Sequence, residues 1–279
     1  MRTALLLAAL AVGCRATTAP ELALLLAQDR DVPALVSATA GTTTITLVAR
    51  DAAAQEAQLE HVLALGVKVV VVEPIGGGAH LVARAHDRGV RVIAYERELA
   101  DDALDALVTF DAYRIGVLQA EAAITALRGT GRIALAVGAD PFAREIARGY
   151  THTLAPYIAR GAVILTPVDG SPDAVLATDG PLARSAILVA RPAFAASAGG
   201  DNTSLVCSGA QQLDVYLDRA KLAEATARLA HRLLAGEDLE RDPTTTRFPG
   251  RRLAVELAPV SAFTRAGCDR RSGPVATTL

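Results

Sequence analysis

The chain has no tryptophan, one methionine and three cysteines in 279 residues. Without tryptophan, no indole face is available for stacking. Lys68 and Lys221 are the only lysines, and arginine supplies almost all of the positive charge. Neither sign of charge dominates: 28 Lys plus Arg stand against 30 Asp plus Glu, a net charge of −2. Such a balance does not draw a nucleic acid or an acidic membrane surface. Cys14, Cys207 and Cys268 form no CxxC and no Cys/His cluster, which argues against a metal site. The histidines His61, His80, His86, His152 and His231 are scattered, again without metal spacing. GxGxxG and the P-loop pattern are both missing, so a nucleotide cofactor has little support, and none is expected. No GxSxG elbow and no Cys/His pair stands out, which points away from an enzyme.

What is present is an ordinary globular composition, 51% hydrophobic and 21% charged. The length allows one large domain or two small lobes. Met1-Arg2 is a short basic start, Ala4 to Val12 is an unbroken apolar run, and Ala11-Val12-Gly13-Cys14 closes it. A short apolar segment ending in small residues reads as a secretory signal over 1–13 rather than a membrane span. The ending resembles the lipobox of bacterial lipoproteins, in which the cysteine is lipidated and becomes the mature N-terminus. Cys14 is therefore the expected lipidation site, and 14–20 a flexible tether to an envelope membrane.

Beyond the tether the pattern alternates. Leu22 to Ala27, Thr42 to Val48, Val67 to Val72, Val90 to Tyr95 and Ala106 to Phe110 read as strands, with helices between them stopped by Gly41, Gly66 and Gly89. The Val67 run is β-branched and apolar except for Lys68, the signature of a strand buried on both faces. A second series starts at Asp111. Its expected strands are 133–137, 163–168, 174–177 and 204–207, followed by Leu213 to Leu217. Its expected helices are 113–127, 141–160 (with an interruption at Pro156), 181–196 and 220–235. Leu253 to Val260 reads as a last strand. This α/β order favours parallel sheets flanked by helices.

In open parallel sheets ligands sit at the carboxyl ends of the strands. Those positions hold Asp29, Arg30, Glu73, Glu96, Arg97, Asp111, Asp140, Asp179 and Ser208. Glu96-Arg97 is the sharpest pair: a carboxylate beside a guanidinium can accept from and donate to adjacent hydroxyls. The same pair also suits a surface salt bridge. Asp111, Asp140 and Asp179 each precede an expected helix, where an N-cap role competes with a ligand role. Phe142, two residues after Asp140, suits either ring stacking or the core.

The stretch from Ala54 to Gln119 resembles the periplasmic sugar-binding proteins of ABC transporters, in the D-xylose-binding branch. Gln55, Gln58, Glu60, Gly66, Pro74, Tyr95, Arg97, Phe110, Asp111, Gly116 and Gln119 carry the resemblance. Looser pieces follow at 175–180, 211–237 and 253–263. The resemblance implies two Rossmann-like lobes joined by three crossings, near Asp111, Tyr216 to Arg219, and Glu256 to Pro259. Lobe 1 would hold 21–111 plus 219–256, and lobe 2 would hold 112–218 plus 257–279. A monosaccharide, a pentose by this resemblance, would bind between the lobes and close them. The contacts it implies come from Asp29, Arg30, Glu96, Arg97, Asp111, Asp140 and Asp179.

The chain also departs from that pattern. Glu96 stands for Asp, Ala112 for Asn, and Thr178 for Asn. The family's Gly-Gln-Asp is matched to Ser208-Gly209-Ala210, which has no acid. Helical pieces look short after Arg30, between Val168 and Ala174, and between Gly209 and Gln211. Those regions carry much of the family's sugar cage, including its stacking Trp.

The reading is a periplasm-facing, lipid-anchored, monomeric substrate-binding lipoprotein of a xylose-like sugar ABC transporter, partnered by its permease. The alternative is a degenerate binding module, a sensor or accessory lipoprotein that binds no sugar.

Overall fold

The computed structural model describes residues 19–76, 78–99, 104–239, 246–247 and 254–268. The signal segment and Cys14 lie outside them.

The strands form two sheets. Sheet one contains β1 (Leu22–Leu26), β2 (Thr44–Val48), β3 (Val69–Val72), β4 (Arg91–Tyr95), β5 (Ala106–Phe110), β11 (Thr246–Arg247) and β12 (Ala254–Ala258). Its order is β11-β12-β5-β4-β3-β1-β2. Sheet two contains β6 (Gly131–Ala136), β7 (Val163–Leu165), β8 (Ala174–Ala177), β9 (Phe194–Ala198), β10 (Leu213–Leu217) and β13 (Val260–Thr264). Its order is β13-β10-β9-β8-β6-β7. Pairing is parallel except at β11–β12 and β10–β13.

Period-two alternation feeds both faces of sheet one. Leu22, Leu24, Val69 and Val71 enter one core cluster, while Ala23, Leu25, Val70 and Val72 enter another. A strand with two buried faces needs apolar residues at every position, which explains the unbroken runs of β1 and β3.

The helices are α1 (Val32–Ala38), α2 (Ala52–Ala64), α3 (Ala79–His86), α4 (Ala112–Ala126), α5 (Pro141–Ala159), α6 (Gly180–Ala190), α7 (Thr203–Ser208) and α8 (Arg219–Leu234). Asp218 caps α8 by accepting from the Ala220 and Lys221 amides, and Leu222, Leu229 and Leu233 turn its apolar stripe inward. α4 and α5 cross at Gly116 and Gly149. A Cβ on Gly116 would overlap the Ile146 carbonyl, and one on Gly149 the Tyr113 carbonyl. Only glycine lets the two backbones approach this closely.

The chain passes between the sheets at Asp111, Asp218 and Pro259, each directly after a strand. β5 leads into α4, β10 into α8, and β12 into β13, whose first residue pairs with the last of β10. Every passage thus runs from the carboxyl edge of one sheet to the carboxyl edge of the other. This topology turns the two edges toward each other.

Several expected elements differ. The stretch 181–196 is not one helix: α6 ends at Ala190, and Phe194–Ala198 is strand β9. Its sequence FAASA lacks β-branched residues, so propensity hid it. The expected strand 204–207 is helix α7. The terminal strand is two, split by Pro259 and shared between the sheets. Pro156 lies inside a continuous α5. No helix intervenes between β7 and β8; residues 166–173 make that crossover. The shortness of β7, three residues, makes it possible.

Cys207 and Cys268 form a disulfide that ties α7 to the turn after β13. Among the described residues no helix is long and apolar enough to cross a membrane.

Candidate functional site

The switch point of sheet one lies between β1 and β3, where the strand order reverses. Glu73, the first residue after β3, is buried there, and its Oε2 accepts from the Ala27 amide at 3.0 Å. Its Oε1 has no partner among the described residues. From α2, buried Gln55 donates to the Glu73 carbonyl at 2.8 Å and accepts from the Ile75 amide at 3.0 Å. Burial raises the Glu73 pKa above its ordinary 4.5; the Ala27 amide opposes the shift and the Glu96 charge adds to it.

A carboxyl raised in the folded state stabilises the fold fully below 4.5, and loses that contribution as pH climbs through the folded value. Glu73→Gln keeps an acceptor for Ala27 and removes the charge. We expect it to stabilise the protein by about 1–2 kcal/mol at pH 8 and to have little effect at pH 4. Melting curves at both pH values check this; an equal effect at both would contradict it.

Glu96 follows β4 with φ of 63°. The Arg97 amide donates back to the Tyr95 carbonyl at 2.7 Å, closing a three-residue turn. A non-glycine residue in this turn is strained by about 1–3 kcal/mol. The turn is held by the Glu96 amide donating to Val108 and by Thr109 Oγ1 donating to the Glu96 carbonyl. It separates the two side chains that the sequence places side by side. Glu96 turns inward, 17% exposed, while Arg97 stands exposed. The expected Glu96–Arg97 clamp is therefore corrected: Glu96 pairs with Arg30 and Arg219.

Arg30 Nη2 donates to both Glu96 oxygens, at 3.1 and 2.8 Å. Arg219, the first residue of α8, donates to Asp31 through Nε at 2.5 Å and Nη2 at 2.7 Å. It also donates to Glu96 through Nη1 at 3.1 Å and through Nη2. Asp31 sits at the N-cap position of α1, but its side chain makes no cap. Arg219 takes its oxygens instead. Burial works to lower the Arg219 pKa, but the hydrogen bonds and charges of Asp31 and Glu96 outweigh it and hold the pKa above the ordinary value. The guanidinium also lies 5.9 Å over the Phe110 ring, at the end of β5.

On sheet two, three of the expected residues are helix caps. Asp111, Asp140 and Asp179 accept from the amides of Arg114, Ala143 and Leu182, each at 2.8 Å. The cap uses one carboxylate oxygen in each case. Asp140 is exposed; Asp111 and Asp179 are half-buried. Phe142 is half-buried against the core.

Ser208 does not follow a strand; it ends α7. The residues that follow β9 are Gly199, Gly200 and Asp201. A Gly-x-Asp run thus stands after the fourth strand of this series, and the match to Ser208-Gly209-Ala210 is corrected. Asp201 is exposed at the edge. Its loop is anchored beneath: buried Asp214 accepts from Ser197 Oγ at 2.8 Å and from the Asn202 amide at 3.1 Å. Asn202 Nδ2 donates to the Gly180 carbonyl at 3.1 Å and to Gln211 Oε1 at 2.9 Å. The loop bearing Asp201 is thereby fastened to the start of α6, next to Asp179. Burial raises the Asp214 pKa, against the hydrogen bonds it accepts.

The structure therefore gathers Asp29, Arg30, Glu96 and Arg97 on the edge of sheet one, and Asp140 and Asp179 on the edge of sheet two, with Asp111 at a crossing. Sequence reasoning missed Asp31 as an ion-pair partner, Arg219 and Asp201. Only Asp201 left a signal, the pair of glycines before it. Among the described residues no group of His, Cys, Asp and Glu is arranged to hold a metal ion.

Two α/β sheets with facing carboxyl edges, three passages between them and a charged, hydrogen-bonding lining define a hinged ligand-binding protein. The chain matches the periplasmic binding protein domain over residues 34–175, half of its length, and belongs to that family. It is 28% identical over 224 residues to the D-xylose-binding periplasmic protein of Haemophilus influenzae, covering 68% of this chain and 67% of that protein. The protein of the same description from Escherichia coli is 27% identical over 224 residues, 68% of each chain. Among solved structures, an ABC transporter solute-binding protein from Clostridium phytofermentans with bound β-D-glucose superposes with a TM-score of 0.74. It is 20% identical and covers 88% of this chain and 94% of that one, a likeness of fold. The relatives are substrate-binding proteins, and this chain is one too rather than an enzyme.

Proposed function

We propose that the protein is the extracytoplasmic solute receptor of an ABC transporter and binds a monosaccharide between two lobes. Lobe 1 is 21–111 plus 219–256 and lobe 2 is 112–218 plus 257–279, hinged at Asp111, Asp218 and Pro259. One observation carries this reading. Hydrogen-bonding side chains crowd the carboxyl edge of sheet one, at its switch point and beside the passages. Asp29, Arg30, Glu96 and Arg97 would contact the ligand from lobe 1. Asp111, Asp140, Asp179 and Asp201 would contact it from lobe 2. The names of the curated relatives support a xylose-like pentose as the first candidate. The receptor works as a monomer that delivers its solute to a permease.

A thermal-shift screen with D-xylose, D-glucose, D-allose and glycerol tests this. A ligand at 100 times its Kd should stabilise the protein by about 2.7 kcal/mol. Arg97→Ala should erase the shift. No shift with any of them would favour the second reading, a degenerate sensor or accessory lipoprotein. That reading draws support from the Arg219 and Arg30 pairs, which already occupy Glu96 and Asp31.

Lipid anchoring at Cys14 completes the proposal. The disulfide takes Cys207 and Cys268, so Cys14 is the cysteine left for modification. Cys14→Ser should move the protein from the membrane fraction to the soluble one. Unchanged partition would exclude a lipid on this residue.

A further inference from the structure

The edge of sheet one presents its cations outward and holds most of its acids inward. Asp31 is 1% exposed and Glu96 17%, and Glu73 is buried. Arg30 is 43% exposed, and Arg97 is exposed. Asp29 is the one exposed acid of this set.

The donors are not used equally. Arg219 spends its fork on Asp31 and Glu96. Arg30 gives Nη2 to Glu96, and its Nε lies 3.8 Å from Asp31, which leaves Nη1. Among the described residues Arg97 makes no side-chain hydrogen bond or ion pair. Inward carboxylates that hold the arginines also limit what this half-site can accept from a neutral hydroxyl. An accessible guanidinium fork is instead matched to a planar anion, above all a carboxylate.

The opposing edge has the reverse character. Asp140, Asp179 and Asp201 face the cleft there, suited to accept from hydroxyls and to repel an anion. A ligand is thus sorted end to end: carboxylate toward sheet one, hydroxyls toward sheet two. The ring at the end of β5 offers no competing platform, because Phe110 is 1% exposed beneath Arg219.

Resting on the monosaccharide reading above, we infer that the preferred ligand is an acidic monosaccharide, an aldonate or uronate. Arg97 and Arg30 hold its carboxylate, and the aspartates of sheet two hold its hydroxyls. A neutral sugar of the same carbon skeleton enters the cleft but lacks the charge-assisted contacts.

Calorimetric titration of the wild-type protein with matched pairs tests this: D-xylose against D-xylonate, and D-glucose against D-glucuronate. Each acid should bind at least about tenfold more tightly than its neutral partner, the scale of one added hydrogen bond to a charged group. That ratio should shrink as ionic strength rises. Arg97→Gln, at an exposed position where folding is not at risk, should bring the ratio close to one. Neutral sugars that bind as well as the acids, or better, would overturn the acid preference and leave the monosaccharide reading standing. An acid preference unchanged in both Arg97→Gln and Arg30→Gln would overturn the assignment to these arginines. No binding by any of the four would overturn both readings together.

Discussion

Arg219→Met will lower stability by about 3–5 kcal/mol, the usual cost of removing one partner from a buried ion pair. That is a large share of the roughly 5–15 kcal/mol available to a folded domain. The cost comes from what is left behind. Asp31 is 1% exposed and takes two hydrogen bonds from this one guanidinium. Without Arg219 its charge has Arg30 Nε at 3.8 Å as its remaining ion-pair contact. Glu96 fares better, since Arg30 still donates to it at 2.8 Å.

Lysine at 219 keeps the charge but loses the fork, so it should recover part of the stability. Asp31→Leu combined with Arg219→Met should recover most of it, because a well-packed apolar pair often equals a buried ion pair. Urea unfolding of the four proteins gives the coupling directly. A loss below about 1 kcal/mol in Arg219→Met would show that the pair is solvated and adds little. The position of Arg219 gives the experiment a second use. It opens α8 just after the crossing at Asp218 and lies over the last residue before the crossing at Asp111.

Breaking the Cys207–Cys268 disulfide will cost about 4 kcal/mol. The estimate follows from the entropy of closing a loop across a sequence separation of 61 residues. The bond fastens α7 to the turn after β13, the strand that enters sheet two last in the chain. Its loss should therefore loosen the β10–β13 edge first. Melting with and without a reductant, beside a Cys207→Ala/Cys268→Ala variant, measures the effect. Hydrogen exchange should show the gain concentrated in 203–217 and 260–268. A melting temperature indifferent to reductant would mean that the loop is already held by packing. A disulfide also fits an oxidising compartment such as the periplasm.

Much of the first sheet was legible because burial on both faces leaves a plain mark in sequence. VVVV at 69–72 and LALLL at 22–26 read as central strands and are central strands. The caps were legible too. Asp51, Asp111, Asp140 and Asp179 each stand before a helix and each accepts from the third amide on. Sheet two was harder. β9 is FAASA, whose small side chains fit a tight interior but carry no strand propensity. Missing that strand displaced the strand-end acid from Asp201 to a helix.

The site shows the same division. Residue types and strand-end positions placed Asp29, Arg30, Glu96, Arg97, Asp111, Asp140 and Asp179 at the right edges, because a parallel α/β order dictates where strands end. Which of them touch was not available from that order. Arg219 and Asp31 are 188 residues apart, and nothing local ties them together. Glu96 and Arg97 are neighbours in sequence, yet one strained turn points them apart. By itself, then, the amino-acid order determined the family, the sheet-and-helix alternation and the set of candidate side chains, since these follow from local periodicity and short motifs. Tertiary structure alone decided which carboxylates are withdrawn and which guanidinium forks remain open, since burial and long-range pairing arise only once the two sheets have packed.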